Sequence, residues 1–200
     1  MFGSSLLRVL AGSLVRRLAQ WREDLALYWF TWDKGNAGFA LALAGFFAAI
    51  AGIVYFAYSN HVSVMAERQR QTDLGCLARN IYHEARGEPA AGQRAVAEVT
   101  LNRVVSPDFP DTVCTVVYEK HWDRRRKRYV GAFSWTEIDS LPRPKGVAWR
   151  QAQLAARDVY DREAQPVVRG ALFYHANYIE PRWAKTKKQV TIIGRHIFYE

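Results

Sequence analysis

The sequence predicts an α+β protein, mainly helical with a small β-sheet, preceded by one transmembrane helix. Three observations predict it. Residues 37–58 form a run of 22 residues without a charge, long enough to cross a bilayer core as a helix. Residues 73–105 then carry apolar side chains at three- and four-residue spacing, the helical period. Residues 171–199 instead hold short runs rich in aromatic and β-branched residues, with Gly194-Arg195 between the last two, as in a tight hairpin. Helices first and strands later is the order of an α+β fold. No internal repeat interrupts it.

Two hundred residues suffice for one ordinary domain and an appendage. The formal charge is +9. The first 35 residues hold five basic side chains (Arg8, Arg16, Arg17, Arg22, Lys34) and three acidic ones (Glu23, Asp24, Asp33), so +2 falls there and +7 on the remainder. Such a basic surface suits nucleic acid, anionic lipid or an acidic polymer alike.

From the N-terminus, residues 5–22 place Leu7, Leu10, Leu14, Leu18 and Trp21 on one side, and Arg8, Arg16 and Arg22 largely elsewhere. Residues 1–36 are therefore expected to be a basic amphipathic segment on a membrane surface. They make a poor signal peptide, because no long apolar core follows the charges within the first twenty residues. In the span 37–58 the only hydroxyls are Tyr55 and Tyr58, and with Trp32 and Phe56 they suit the two interfaces. Five basic residues precede the span, against Arg68 and Arg70 shortly after it. The positive-inside rule then puts the N-terminus in the cytoplasm and the rest outside. Small residues four apart, Gly38 with Ala42 and Gly45 with Ala49, are compatible with a homo-oligomer through this helix; a plain anchor is the simpler expectation. Residues 59–72 read as a polar juxtamembrane tether, and residues 73–200 as the functional domain.

That domain opens on a helix. Leu74, Leu77, Ala78, Ile81 and Ala85 make one stripe, Thr72 or Asp73 is positioned to cap the start, and Gly87 and Pro89 end it. A second helix is expected over 89–105, then a turn at SPDFPD and a short capped helix through Val113, Val116 and Val117. HWDRRRKR at 121–128 reads as a solvated charge run, with contact to an anionic polymer or lipid as the alternative. Residues 129–135 resemble a strand turning at Gly131, LPRPKG is a linker, 147–163 a helix, 171–176 a strand and NYIEPRW a loop.

Glu84 stands out chemically. It lies three residues after Ile81 and seven after Leu77, at the edge of the apolar stripe. A carboxyl group held against apolar surface loses hydration and its pKa rises, as a general acid near neutral pH requires. The plainer reading is a carboxylate that solvates a helix end.

Six blocks, IYHEARGEP, GQRAVAEVTLNRV, SPDFPDTVCTVVY, FSW, FYHA and IGRHIFY, occur in that order over roughly residues 74–200. Together they resemble the SleB/CwlJ family of bacterial cell-wall hydrolases. The resemblance implies a lysozyme-like domain that cleaves the MurNAc–GlcNAc β-1,4 bond of peptidoglycan, with its catalytic glutamate at Glu84. It also implies a lytic transglycosylase, in which one glutamate serves as acid and then base. A muramidase would instead need a second carboxylate, and Glu88, Glu98, Glu137 and Asp139 are the candidates; Glu88 is as well suited to orienting Arg86 or capping the next helix. The blocks place Tyr82, Asn102, Phe133, Ser134, Trp135, Tyr174 and His175 around a glycan groove. Common family variants have cysteines flanking FSW, where this chain has Ala132 and Glu137. The two cysteines present, Cys76 and Cys114, are the expected disulfide if the domain lies outside the cytoplasm; two separate thiols are the alternative.

Other classes fit less well. His83-Glu84 begins like the zinc motif HExxH, but residue 87 is Gly where the second ligand belongs. No metal or other cofactor is expected. Nucleic acid is not an expected partner, since the basic run stands alone and on the wrong side of the membrane. A non-catalytic wall-binding scaffold remains the competing class, and an intact Glu84 speaks against it. The expected setting is the bacterial cell membrane, single-pass, with the domain periplasmic or otherwise extracytoplasmic.

Overall fold

The structure is a computed structural model that describes residues 20–23 and 34–200. Most of the expected amphipathic segment, and Trp32, lie outside the described residues. The chain divides into two compact units, residues 1–62 and 63–200.

Helix α1 runs unbroken over Lys34–Ala85, 52 residues. Among the described residues it is the one helix long and apolar enough to cross a membrane, and residues 41–69 are exposed throughout. The expected helix start at Thr72 or Asp73 is therefore corrected, and residues 59–72 are helical. The reason is local. That stretch contains no Gly or Pro and is rich in good helix formers from Met65 to Gln71. Side-chain pairs one turn apart reinforce it: Arg70 with Glu67 at 3.4 Å, Gln71 with Glu67 at 2.6 Å and Gln69 with Asp73 at 3.1 Å. Thr72 bonds back to the Arg68 carbonyl instead of capping, and Asp73 accepts the Tyr160 hydroxyl.

In the second unit, α1 ends at Ala85 and α2 follows over Ala90–Val105. Two residues of α2, Val96 and Ala97, join Leu74, Leu77, Ile81 and Ala85 in one core; two others, Ala95 and Val99, join Val168, Ala171 and Phe198 in another. Helix α2 is thus apolar on two sides because it lies between two cores. The short α3, Val113–Val117, opens on a reciprocal cap in which the side chains of Thr112 and Thr115 each accept the other's backbone N–H. A disulfide joins Cys76 of α1 to Cys114 of α3, with Cα atoms 5.3 Å apart. Helix α4, Gly146–Tyr160, buries Ala152, Ala155, Ala156 and Val159.

The charge run is solvated, as expected, and forms a hairpin. Strand β1, Lys120–Asp123, pairs antiparallel with β2, Arg128–Gly131. Asp123 accepts the backbone N–H groups of Arg125 and Arg126 at 2.8 and 3.0 Å, which tightens the turn, and Lys127 takes a left-handed φ of 51°. The strand expected over 129–135 stops at Gly131. Residues Ser134–Glu137 curl into a 3-10 turn, because Glu137 takes the Gly131 N–H at 2.8 Å and folds the chain back. A Cβ on Gly131 would collide with the Thr136 hydroxyl. After α4, β3 (Phe173–Ala176), β4 (Gln189–Ile193) and β5 (His196–Tyr199) form an antiparallel sheet in the order β3-β5-β4. A second 3-10 turn, Arg182–Thr186, starts at the end of the expected NYIEPRW loop and runs three residues past it.

Candidate active site

The last turn of α1 carries Glu84 into a groove of about 360 Å³ lined by Tyr82, His83, Arg86, Ser134, Trp135 and the 138–142 loop. Glu84 follows from the helical period: Leu77, Asn80, Ile81 and Glu84 share one face. Leu77, Asn80 and Ile81 are fully buried, so the carboxyl group at the end of that row is half-buried. Burial pushes its pKa up, and two weaker influences oppose the rise: the Tyr174 hydroxyl and the positive charge of Arg103. The Tyr174 hydroxyl donates to Glu84 Oε2 at 3.2 Å. Burial and the neighbouring Glu84 charge hold that phenol well above its usual pKa, so it stays a donor.

Trp135 forms a wall of the groove and is fixed on two sides. Its indole N–H donates to Asn80 Oδ1 at 3.0 Å, and Asn80 donates in turn to Thr100. Its ring stacks on His83 with centroids 4.5 Å apart. Burial, then the charge of Arg86, lowers the His83 pKa, which favours the neutral ring. Tyr82 meets Trp149 edge-on and lies beneath the Arg86 guanidinium.

Of the residues placed around a groove by the sequence, Tyr82, Glu84, Ser134 and Trp135 line it, and Tyr174 touches Glu84 from behind. Three lie elsewhere. Asn102 spends its amide N–H groups on the carbonyls of Val168 and Ala171 and lines a different cavity, beside Leu101 and Arg162. Phe133 is buried under the Arg103 guanidinium. His175 follows Tyr174 on β3, so it points to the opposite face of the sheet. There it bonds the Tyr199 hydroxyl and stacks on that ring, in a cavity of about 590 Å³ with Lys185 and Lys187.

Three of the four candidate second carboxylates are otherwise engaged; the fourth, Asp139, is exposed between Ile138 and Leu141, which line the groove. Glu88 accepts the backbone N–H and the Nε–H of Arg195 at 2.9 and 2.7 Å, so its partner is Arg195 rather than Arg86. Burial works to raise its pKa, but the Arg195 bonds outweigh this and hold it below the usual range. Glu98 accepts the N–H groups of Val167 and Val168. Glu137 pairs with Arg128 at 3.1 Å besides its bond to Gly131. Among the described residues no cluster of His, Cys, Asp and Glu is arranged to hold a metal.

A family model described as Cell Wall Hydrolase matches residues 87–199, more than half of the chain. The chain belongs to the cell wall hydrolase family. Its similarity to curated proteins is to the spore cortex-lytic enzyme of Bacillus cereus, 32% identical over 128 residues, 64% of this chain and 44% of that protein. The spore cortex-lytic enzyme of Oceanobacillus iheyensis is 36% identical over 128 residues, 41% of its length. The chain thus spans less than half of these relatives. Among solved structures, the catalytic domain of the germination-specific lytic transglycosylase SleB from Bacillus anthracis is 32% identical, with 65% of this chain and 95% of that one covered and a TM-score of 0.49.

Within this cell wall hydrolase, sequence reasoning missed Arg103 and Asn80 as parts of the site. Arg103 donates to the Leu172 carbonyl at 2.8 Å while its charge acts on Glu84. Both had a signal. Arg103 falls three residues after Thr100 and seven after Val96 on a buried stripe, and Asn80 falls three after Leu77. A polar side chain at a core position of a helix must have partners there.

Proposed function

We propose that this chain is a peptidoglycan glycosidase of lysozyme-like architecture that cleaves the MurNAc–GlcNAc β-1,4 bond as a lytic transglycosylase, with Glu84 as its acid and base. The observation that carries the reading is a half-buried carboxyl of raised pKa, exposed to an aromatic-walled groove and held by one phenol. Protonated Glu84 gives its proton to the glycosidic oxygen as the C1–O bond breaks. The muramic C6 hydroxyl attacks C1, and its proton returns to the Glu84 carboxylate. Tyr82, Ser134 and Trp135 contact sugar through ring faces and hydroxyl bonds, while Tyr174 positions the carboxyl group. The engagement of Glu88, Glu98 and Glu137 supports this over a two-carboxylate muramidase, for which Asp139 is the candidate left. Mass spectrometry of the soluble products decides between them. Anhydromuropeptides support the transglycosylase, and reducing-end products about 18 Da heavier, one added water, would replace it with the muramidase.

The same proposal includes the setting. Residues 37–58 span the cell membrane with the N-terminus cytoplasmic, residues 59–72 lead away from it, and residues 73–200 work outside the cytoplasm. The uncharged, exposed helix and the disulfide support this. Alkaline extraction tests it: the full chain stays in the membrane pellet, and release into the supernatant would contradict the anchor.

A further inference from the structure

The β1–β2 hairpin carries Lys120, Arg124, Arg125, Arg126, Lys127 and Arg128 against Asp123 alone, and the chemistry at Glu84 makes no use of it. In its register Lys120 faces Gly131 and Trp122 faces Tyr129, so these four share one face; Val130 lies on the other. Val130 is buried, whereas Trp122 and Tyr129 are 52% and 64% exposed. The face carrying the aromatic pair therefore points away from the body of the unit. The two rings meet edge-on with centroids 5.3 Å apart, a rigid apolar platform in water. Around the turn, Arg126 is paired with Asp123 at 3.6 Å and Arg128 with Glu137 at 3.1 Å. Among the described residues no carboxylate lies within salt-bridge distance of Arg124, Arg125 or Lys127, and all three are exposed.

The base of this finger is tied to the groove. Glu137 holds Gly131 and Arg128, and in the same segment Ser134 and Trp135 line the groove beside Glu84. The finger and that wall of the groove thus belong to one segment of chain, residues 120–137.

We propose that the β1–β2 hairpin is a non-catalytic contact for peptidoglycan, its unpaired guanidinium and ammonium groups taking stem-peptide carboxylates and its Trp122–Tyr129 platform taking a sugar face. This rests on the reading of the chain as a peptidoglycan enzyme and names the part of the polymer recognised outside the groove. Exposed cations attract a carboxylated polymer strongly at low salt and weakly at high salt. Stacking on an aromatic face is insensitive to salt.

The test compares the full chain in nonionic detergent with a finger variant, Arg124→Gln, Arg125→Gln and Lys127→Asn (Asn tolerates the left-handed φ). Co-sedimentation with insoluble peptidoglycan is read in a Glu84→Gln background, so that no substrate is lost. Removing three exposed charges is expected to weaken binding on the order of tenfold at low salt. That difference disappears at about 0.5 M salt, where the screening length is only a few ångströms, and, in a pull-down on bead-immobilised glycan strands, once an amidase has stripped their peptides. Trp122→Ala weakens binding to both intact and stripped glycan. With Glu84 present, the finger variant cleaves short peptide-free glycan at the wild-type rate and melts at the same temperature. Equal sedimentation of variant and wild type overturns the inference. So does a loss that persists on stripped glycan, or finger-dependent binding to anionic phospholipid vesicles with none to peptidoglycan. Finger-dependent binding without any cleavage by the wild type supports this contact while removing the glycosidase reading.

Discussion

Burial makes ionisation costly at Glu84 and raises its pKa above the usual carboxylate value. The Tyr174 hydroxyl works the other way, since it donates to the carboxylate and favours the charged form. Tyr174→Phe removes that donor, so the Glu84 pKa rises further. Cleavage starts from protonated Glu84, and the alkaline limb of the pH–rate profile then moves to higher pH; a limb that stays or moves down contradicts the proton assignment. Stability follows the same linkage. The folded state binds a proton more tightly at Glu84 than the unfolded chain does, so stability falls as pH rises from the unfolded pKa through the folded one. Glu84→Gln is expected to raise Tm at neutral pH and to lose that advantage in acid, as a thermal melt series at several pH values would record. The half-buried position of Glu84 was legible in the sequence because the helical period puts it at the end of a buried row, while its role as the acid came from the resemblance of the blocks. Tyr174 and His175 were not separable, because adjacent residues of a strand face opposite ways and only the register of β3 against β5 says which faces α1.

At the scale of elements, the corner between α1 and α2 is locked to the β4–β5 turn by one buried carboxylate. Glu88 is 2% exposed as a side chain and holds Arg195 through two bonds. Gly194, with φ of 58°, comes so close that a Cβ there would strike the Glu88 carboxylate. Glu88→Ala leaves the turn without its acceptor and should cost about 2–3 kcal/mol, the range for hydrogen bonds to a buried charge; denaturant unfolding measures it. Because the folded pKa of Glu88 is depressed, this contribution is present above the unfolded carboxylate range and is lost as pH falls through the folded value. The helices and the hairpin at 189–199 were legible from periodicity and turn residues. The length of α1 was not, since a polar stretch after an apolar span looks like a tether, and only its side-chain pairs and lack of Gly or Pro mark it as helix. Nor was β1–β2, because its two strands are four residues each and its turn is held by a single Asp123 carboxylate.

For the whole molecule, the disulfide ties the helix bearing Glu84 to α3 across 38 residues of chain. Its reduction is expected to cost about 3–4 kcal/mol in the chain-entropy model, seen as a lower urea midpoint with an intact α-helical signal in buffer. The scheme rests on the last turn of α1, which presents Glu84 to the groove. Its central claim is that Glu84 carries the proton. The direct measurement is the rate at which purified peptidoglycan is solubilised by the full chain and by Glu84→Gln, with folding of both checked by their melts. A general acid contributes about 10²–10⁴-fold, so the variant should be slower by at least about 100-fold while still sedimenting with the polymer. Equal rates from the two folded proteins would contradict the account and remove Glu84 from the chemistry.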